Sequence, residues 1–373
     1  MALDTLGFIT PAVKYDVFDA VCKKAELKRC VDMFSGEMKY EFITVDLRDS
    51  SDHRISIKVL DKMWTKEIGE KTPSLKSSEI YLKIETSIHK QMLGHNILGG
   101  SSDLYLLTKW LSRLLEKELD VKLPDFNEWW VYRIDVAEAW NLESLDAVID
   151  WFRLVNNCEF TRRQEKVNKY FTGLYFPGST TTWKAYGKGP EFRKHDRKIA
   201  KKILDFITLS KLQDMADSVL RIEVEIHKKK LKDDFGGRLP FVYEITKEYL
   251  DETFNCETNK ILKGLGEGMQ AVRNKEAVQN LLYEKFESHK AGILLGTWFR
   301  LAADGEKAVR ITMPKSTFQW QKKQILDAGC SWVATDVVIG DTKVPLDFKP
   351  VRSDRHYIAG VLEQIQEMLN EVA

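Results

Sequence analysis

The chain has 373 residues, of which 43% are apolar and 30% charged, so it is long enough to bury a sizeable core and to form about two or three domains. Its formal net charge is only +1, so any polyanionic partner must be met by local basic patches rather than by overall charge. Short apolar runs exclude a membrane-spanning helix, the first residues lack a secretory pattern, and five scattered cysteines (Cys22, Cys30, Cys158, Cys256, Cys330) without a C-x-x-C pair argue for reduced thiols in a cytoplasm.

In chain order, the first 75 residues carry no pattern that assigns a role. Arg54 to Leu60 and Glu79 to Ser87 alternate polar and apolar residues, which predicts half-buried strands. A glycine-rich turn, Gly94 to Gly100, precedes a predicted helix from Asp103 to Glu118, with Leu104, Leu107, Leu111 and Leu114 at helical spacing and Asp103 as N-cap. Next come a strand over Trp129 to Ala137, a helix over Leu145 to Val155 and strands near Tyr175 and Tyr186. A basic helix from Glu191 and a strand from Leu220 to Ile226 follow. Alternating rather than fully apolar strands interleaved with helices give an α+β fold, an antiparallel sheet covered by helices on one face.

From about Leu250 onward helices dominate. Ala291 to Ala302 reads as a helix ended by Asp304-Gly305, and Pro314 to Gly329 as another, with Pro near N1 and Gly at the C-terminal cap. The pair fits a helix-turn-helix, in which Lys315, Lys322 and Lys323 would meet DNA; a helical hairpin packed on the core fits the same pattern. A final helix carries Val361, Leu362, Ile365 and Leu369.

Charges within the strands partition by face, because residues two apart share one. Leu220, Ile222, Val224 and Ile226 oppose Arg221, Glu223, Glu225 and His227; Ile80, Leu82 and Ile84 oppose Lys83, Glu85 and Ser87. Trp130, Tyr132, Ile134 and Val136 oppose Arg133 and Asp135, while Lys184, Tyr186 and Lys188 share a face opposite Trp183 and Ala185. If these strands are neighbours, one sheet face gathers carboxylates, bases and a tyrosine. Converging carboxylates suit Mg²⁺ or Mn²⁺, and a tyrosine beside such an ion can attack phosphorus, with Lys184 and Lys188 placed to stabilise phenolate or phosphorane charge. An antiparallel sheet with one solvated face shows the same alternation. Two basic clusters add to the pattern. Eight basic residues, among them Arg193, Lys194, Arg197 and Lys198, lie between Lys184 and Lys202, and Lys228, Lys229, Lys230 and Lys232 follow; a solvated helix face accounts for either cluster alone.

Five ordered blocks carry a resemblance. Ser87-Ile-His-Lys-Gln-Met-Leu-Gly-His-Asn-Ile-Leu-Gly99, Arg133-Ile-Asp135, Ala185-Tyr186-Gly-Lys188 with Glu191, Leu220-Arg-Ile-Glu223 and Met313-Pro-Lys-Ser-Thr-Phe318 through Gly329 resemble, in order, blocks of the replication-initiation proteins of filamentous bacteriophages (the gene II/X family). Ile88 and Leu98 stand where that family usually has Pro and Phe. The resemblance implies a Rep-like endonuclease that nicks and rejoins one DNA strand to start rolling-circle replication. Tyr186 would be its nucleophile, Asp135 and Glu223 its metal ligands, and Glu225 and Glu85 weaker candidates. It further implies a nicking domain over residues 1–245, a helical, winged-helix-type DNA-binding domain over 246–373, origin DNA as partner, and a host helicase and polymerase downstream. A plasmid or mobile-element relaxase of the same chemistry, and a binding-only replication protein, are the alternatives. Absence of a Walker-type phosphate loop agrees with ATP-independent transesterification. Other aromatic and histidine side chains have plainer readings: His95 as a turn histidine bonded to backbone, His227 as an exposed strand end, and Trp129 or Trp130 as core rather than base-stacking groups.

Overall fold

The computed structural model describes residues 1–48, 53–61, 63–65, 74–76, 79–97, 100–142, 144–156, 166–167, 172–203, 206–265, 274–332, 351–352, 363 and 366–371. Its strands are β1 (Ala2–Ile9), β2 (Glu26–Val31), β3 (Met38–Leu47), β4 (Ile55–Leu60), β5 (Met63–Thr65), β6 (Ser74–Lys76) and β7 (Tyr81–Ser87) in the first part of the chain. They continue with β8 (Trp130–Asn141), β9 (Lys166–Val167), β10 (Gly173–Phe176), β11 (Thr181–Gly187), β12 (Val219–Ile226) and β13 (Val351–Arg352). The main antiparallel sheet runs β2-β3-β4-β7-β1-β8-β12-β11-β10-β9, with β13 also paired to β8; β5 and β6 form a separate hairpin. The fold is α+β, as the alternating strands predict.

The first strand, for which the sequence offers no assignment, is central. It pairs with β7 on one side and β8 on the other. Its apolar residues Leu3, Leu6 and Phe8 are fully buried, and they join Leu82 and Ile84 of β7, Ile134 and Val136 of β8 and Leu220, Ile222, Val224 and Ile226 of β12 in one core.

The helices are α1 (Tyr15–Cys22), α2 (Ile88–Leu93), α3 (Leu104–Leu119), α4 (Leu145–Asn156), α5 (Lys188–Glu191), α6 (Arg197–Ile203), α7 (Phe206–Asp217), α8 (Lys228–Asp234), α9 (Lys247–Leu265), α10 (Lys275–Lys285), α11 (Ser288–Arg310) and α12 (Lys315–Asp327). Asp103 caps α3 by accepting from the Leu106 amide at 2.9 Å, and the leucine stripe of that helix enters the main core. Helices are not confined to one face. Phe192, Ala200, Leu209, Leu212 and Ala216 build a second, smaller core over Ala139 and Val219, on the charged side of the sheet.

The division expected at 245/246 falls just before α9, which packs on β8, β11 and β12, with Thr181 donating to Glu257 at 2.8 Å. Beyond α9 the described residues to 332 are mainly helical. α11 breaks at Gly305 (φ 79°), where the sequence ends a helix, and α12 starts after Pro314 and stops before Gly329 (φ 85°). The wing of a winged helix would fall on 333–350, and Val361, Leu362 and Ile365 of the last predicted helix also lie outside the described residues. Lys315 and Lys323 are exposed, as a DNA-facing role requires. Lys322 is not: its ammonium pairs at 2.5 Å with the fully buried carboxylate of Glu306, tying α12 to α11. Lys322→Met should therefore lower stability by about 3 kcal/mol in chemical unfolding, because it strands a buried charge, and should leave the salt dependence of DNA binding unchanged.

Candidate active site

β-Strand alternation puts Lys83 and Glu85 of β7, Arg133 and Asp135 of β8, Arg221, Glu223 and Glu225 of β12, and Lys184 and Tyr186 of β11 on one face. The register makes them neighbours: Glu225 sits opposite Asp135, Lys184 opposite Glu223, and Tyr186 opposite Arg221. This face borders a cavity of about 580 Å³ whose lining includes Asp135, Lys184, Tyr186 and Glu223. A solvated face would leave such charges exposed; here Arg221 is 1%, Asp135 2% and Glu223 4% exposed. Burying charge is costly unless it is paired, so the pairing defines the site.

Two bulges shape it. Asp4 and Thr5 of β1 together face Asp135, between the pairs Leu3–Val136 and Leu6–Ile134. A β-bulge inserts one extra residue and re-aims a side chain, and it brings Asp4 to the cavity. A second irregularity, between Gly7–Arg133 and Phe8–Val131, turns Tyr132 out of the apolar row in which the sequence places it. Tyr132 instead donates to Glu85 at 2.6 Å, and its ring occupies the space that a side chain at Gly7 would need.

The nucleophile candidate is tightly held. The Tyr186 hydroxyl donates to Oε1 of Glu223, the oxygen that also accepts from Arg221 Nε at 2.8 Å. Burial first, and the adjacent Glu223 carboxylate second, hold the phenol pKa well above its ordinary value. Arg221 also pairs with Asp4 at 3.1 Å and donates to the Asn96 carbonyl at 2.6 Å. Asp4 accepts from Ser87 at 2.7 Å and Asn96 at 2.8 Å. Burial would raise the pKa of Asp4, but Arg221 and these hydrogen bonds outweigh it and keep the group well below the carboxylate range. Glu223 moves the other way, raised by burial and by the charge of Asp4, and Asp135 is raised by burial.

The remaining expected ligands are engaged by protein cations. Asp135 accepts a bidentate pair from Arg133 at 2.9 and 2.8 Å; Glu225 pairs with Lys184 at 2.8 Å and His227 at 3.3 Å; Glu85 pairs with Arg133 at 3.0 Å. Among the described residues, no three carboxylate, imidazole or thiol groups converge on one point as they stand. The donor chemistry nevertheless suits a hard divalent ion: Asp4, Asp135 and Glu223 are buried carboxylate oxygen donors that line one cavity.

Lys188 departs from the sequence reading. The strand ends at Gly187 and Lys188 opens α5, so its ammonium reaches the site from the helix rather than from the strand face. It is fully buried, 5.5 Å from the Tyr186 ring centroid, and it donates to Asn96 at 2.6 Å and to Glu191. A π-helical turn, Phe192–Asp196, follows α5 and aims Asp196 at Lys90 (2.7 Å) and His53 (3.2 Å). Gly189 serves packing, since a side chain there would strike the Asp217 backbone at 2.8 Å.

Of the expected DNA-binding residues, Lys184 lies inside the site, Arg193 is exposed and paired with Asp217 at 2.6 Å, and Lys194, Arg197 and Lys198 are exposed. His95 is buried, with its pKa lowered to about 4 by burial, and its Nδ1 makes no hydrogen bond among the described residues, so it is not the backbone-bonded turn histidine expected. His227 bonds Thr182 at 3.1 Å. Trp129 is core, its indole donating to the Pro124 carbonyl, and Trp130 stacks on Phe241. Sequence reading missed Asp4, His53 and Asp196; an acidic residue at position 4 inside an otherwise apolar run was the available signal.

A family model for the N-terminal part of a phage replication-associated protein, the gene II protein, matches residues 17–249, well over half of the chain. The chain belongs to this family. The match to the gene II family spans the strands and helices that carry Tyr186, Asp135 and Glu223. No curated protein matches the sequence. Among solved structures, a rolling circle replication initiator protein from Geobacillus stearothermophilus is similar at 12% identity over 63% of this chain and 78% of that one, with a TM-score of 0.26, too low to carry an inference. Among the described residues no helix is long and apolar enough to cross a membrane.

Proposed function

We propose that this chain is a rolling-circle replication initiator that nicks one strand of origin DNA with Tyr186 and later rejoins it. The observation that carries this reading is the hydrogen bond from the Tyr186 hydroxyl to Glu223, inside a cavity lined by lysine and carboxylate side chains in a member of the gene II replication-protein family. Glu223 takes the phenolic proton along that bond as the tyrosyl oxygen attacks phosphorus. The tyrosyl O–P bond forms and the P–O3′ bond breaks, leaving a 5′-phosphotyrosine and, once protonated, a free 3′-hydroxyl for a host polymerase, with a host helicase opening the duplex. Lys184 offsets charge on the phosphorane, and Lys188 keeps a positive charge beside the ring. A Mg²⁺ or Mn²⁺ ion, when bound, polarises the scissile phosphate, and Asp135 and Glu223 with Asp4 are the residues that would hold it. Reversal with a new 3′-hydroxyl closes the displaced strand, and the linkage conserves the phosphodiester energy.

The test is incubation of the protein with the single-stranded origin region and Mn²⁺ or Mg²⁺, followed by mass spectrometry of any denaturation-resistant adduct. Attachment at Tyr186 supports the reading; attachment at Tyr175 or Tyr170 moves the nucleophile; no adduct on any origin strand or supercoiled duplex favours a binding-only protein. A pH profile tests the base. Glu223 acts as base only when ionised, so nicking should fall on the acid side as it protonates. Glu223→Gln should remove that acid limb and cost about 10²–10⁴-fold in rate.

A further inference from the structure

The charged face does not end at the tyrosine. It continues across β1, β7 and β4 to the hairpin β2–β3 at the edge of the sheet, and Phe42, Lys28, Lys58 and Lys83 line the same cavity as Tyr186. Tyr40 lies two positions from Phe42 on β3 and stacks on it, with centroids 6.2 Å apart at 20°. Lys58 lies over the Phe42 ring at 3.8 Å and Lys83 over the Tyr132 ring at 4.3 Å.

The two lysines are unusual in their pairing. Lys58 and Lys83 are directly opposite across β4 and β7. Like charges in that position are destabilising. Among the described residues neither has an ion-pair partner, whereas Arg54, just ahead of β4, is neutralised by Asp46 at 3.2 Å. A pair of half-buried, mutually repelling ammonium groups beside half-buried Phe42 and exposed Tyr40 is the arrangement that an anionic, base-bearing strand would relieve.

We infer that Tyr40 and Phe42, with Lys58 and Lys83, form a binding track for single-stranded DNA that leads away from Tyr186 across the sheet to the β2–β3 hairpin. This rests on the nicking reading for its purpose, not for its physics. Aromatic platforms alternating with cations hold single strands without regard to sequence, the bases stacking on rings and the phosphates on lysines. A duplex is disfavoured because its bases are already stacked and cannot reach the rings. Six strand steps separate β3 from β11, about 29 Å at the usual spacing of about 4.8 Å. That accommodates no more than about eight nucleotides at a duplex-like rise of about 3.4 Å.

The experiment uses the full chain and a fluorescein-labelled dT15 oligonucleotide, with anisotropy read over a salt series. Tyr40→Ala with Phe42→Ala should weaken dT15 binding at least about tenfold. Lys58→Gln with Lys83→Gln should reduce the slope of log affinity against log salt by about 1.4, since each phosphate contact to a single strand contributes about 0.7. Unchanged affinity and slope in both double variants overturns the track; loss confined to a blunt 20-base-pair duplex also overturns it, in favour of a duplex contact. The lysine pair decides alone if thermal unfolding shows that the aromatic variant is misfolded. The two readings fail separately: an adduct assay that fails in the wild-type protein, with dT15 binding still dependent on the hairpin residues, would remove the chemistry and keep the track.

Discussion

Tyr186→Phe is expected to bring covalent capture of the origin strand to background, at least about 10⁴-fold below wild type, while leaving the fold intact. The substitution deletes one oxygen. That oxygen donates to Glu223 and touches no residue of the apolar core face, which belongs to Trp183 and Ala185 on the same strand. Glu223 keeps its pairing with Arg221 at 2.8 Å, so the buried carboxylate is not stranded and stability should change by no more than about 1 kcal/mol. The measurement is a denaturing gel of labelled origin strand with divalent ion, run beside wild type with EDTA. Both controls should erase the adduct for different reasons. An adduct that survives the substitution would move the nucleophile, and one that survives EDTA would remove the metal from the reaction.

Arg221→Met should produce the largest loss of stability of any single change in the site, about 3–5 kcal/mol and on the order of 10 °C in melting temperature. Arg221 is fully buried and is the shared partner of Asp4, Glu223 and the Asn96 carbonyl. Methionine fills much of the volume but deprives two buried carboxylates of their shared guanidinium and the Asn96 carbonyl of its Arg221 donor. The sign of the pH effect follows from Asp4. Its folded pKa is depressed below the ordinary 3.8, so its contribution to stability is present above that value and is lost as pH falls. In the variant that contribution is gone. The gap between wild type and variant should therefore be widest near neutrality and narrow as pH falls through about 4 and the carboxylates protonate. A gap that is constant from pH 7 to 3 would mean that packing, not charge, supplies the effect.

Much of the site is legible in the sequence, because strands obey a period of two. The faces of β7, β11 and β12 are where alternation puts them, and register then brings Tyr186, Glu223, Lys184, Asp135 and Glu225 together. What fails does so at departures from that period. Tyr132 is misplaced by a bulge, and Asp4 is hidden by another in a strand whose apolar row is broken at the same point. Lys188 is assigned to a strand that has already ended. His53 and Asp196 meet only through tertiary contact, 143 positions apart, and no local pattern marks them. β2 is exposed along nearly all of its length and β3 over its first half, so this hairpin lacks the buried row by which strands are read. Chemistry, by contrast, could not be read from alternation alone. A solvated face and a buried ionic site look alike until burial separates them.

The central position of β1 has a consequence for how the chain is made. Ala2–Ile9 leaves the ribosome well before its two partners, Tyr81–Ser87 and Trp130–Asn141. About 70 residues separate the end of β1 from β7 and about 120 separate it from β8, so at typical rates of synthesis an apolar strand has both edges open for roughly 4–14 s and one edge open for roughly 6–24 s. Such strands are sites of aggregation, and sheets closed by distant pairings form slowly. Yield of active protein should accordingly respond to growth temperature and chaperone supply more than the stability of the finished fold would suggest, and the nascent chain should gain protease resistance only once β8 has emerged.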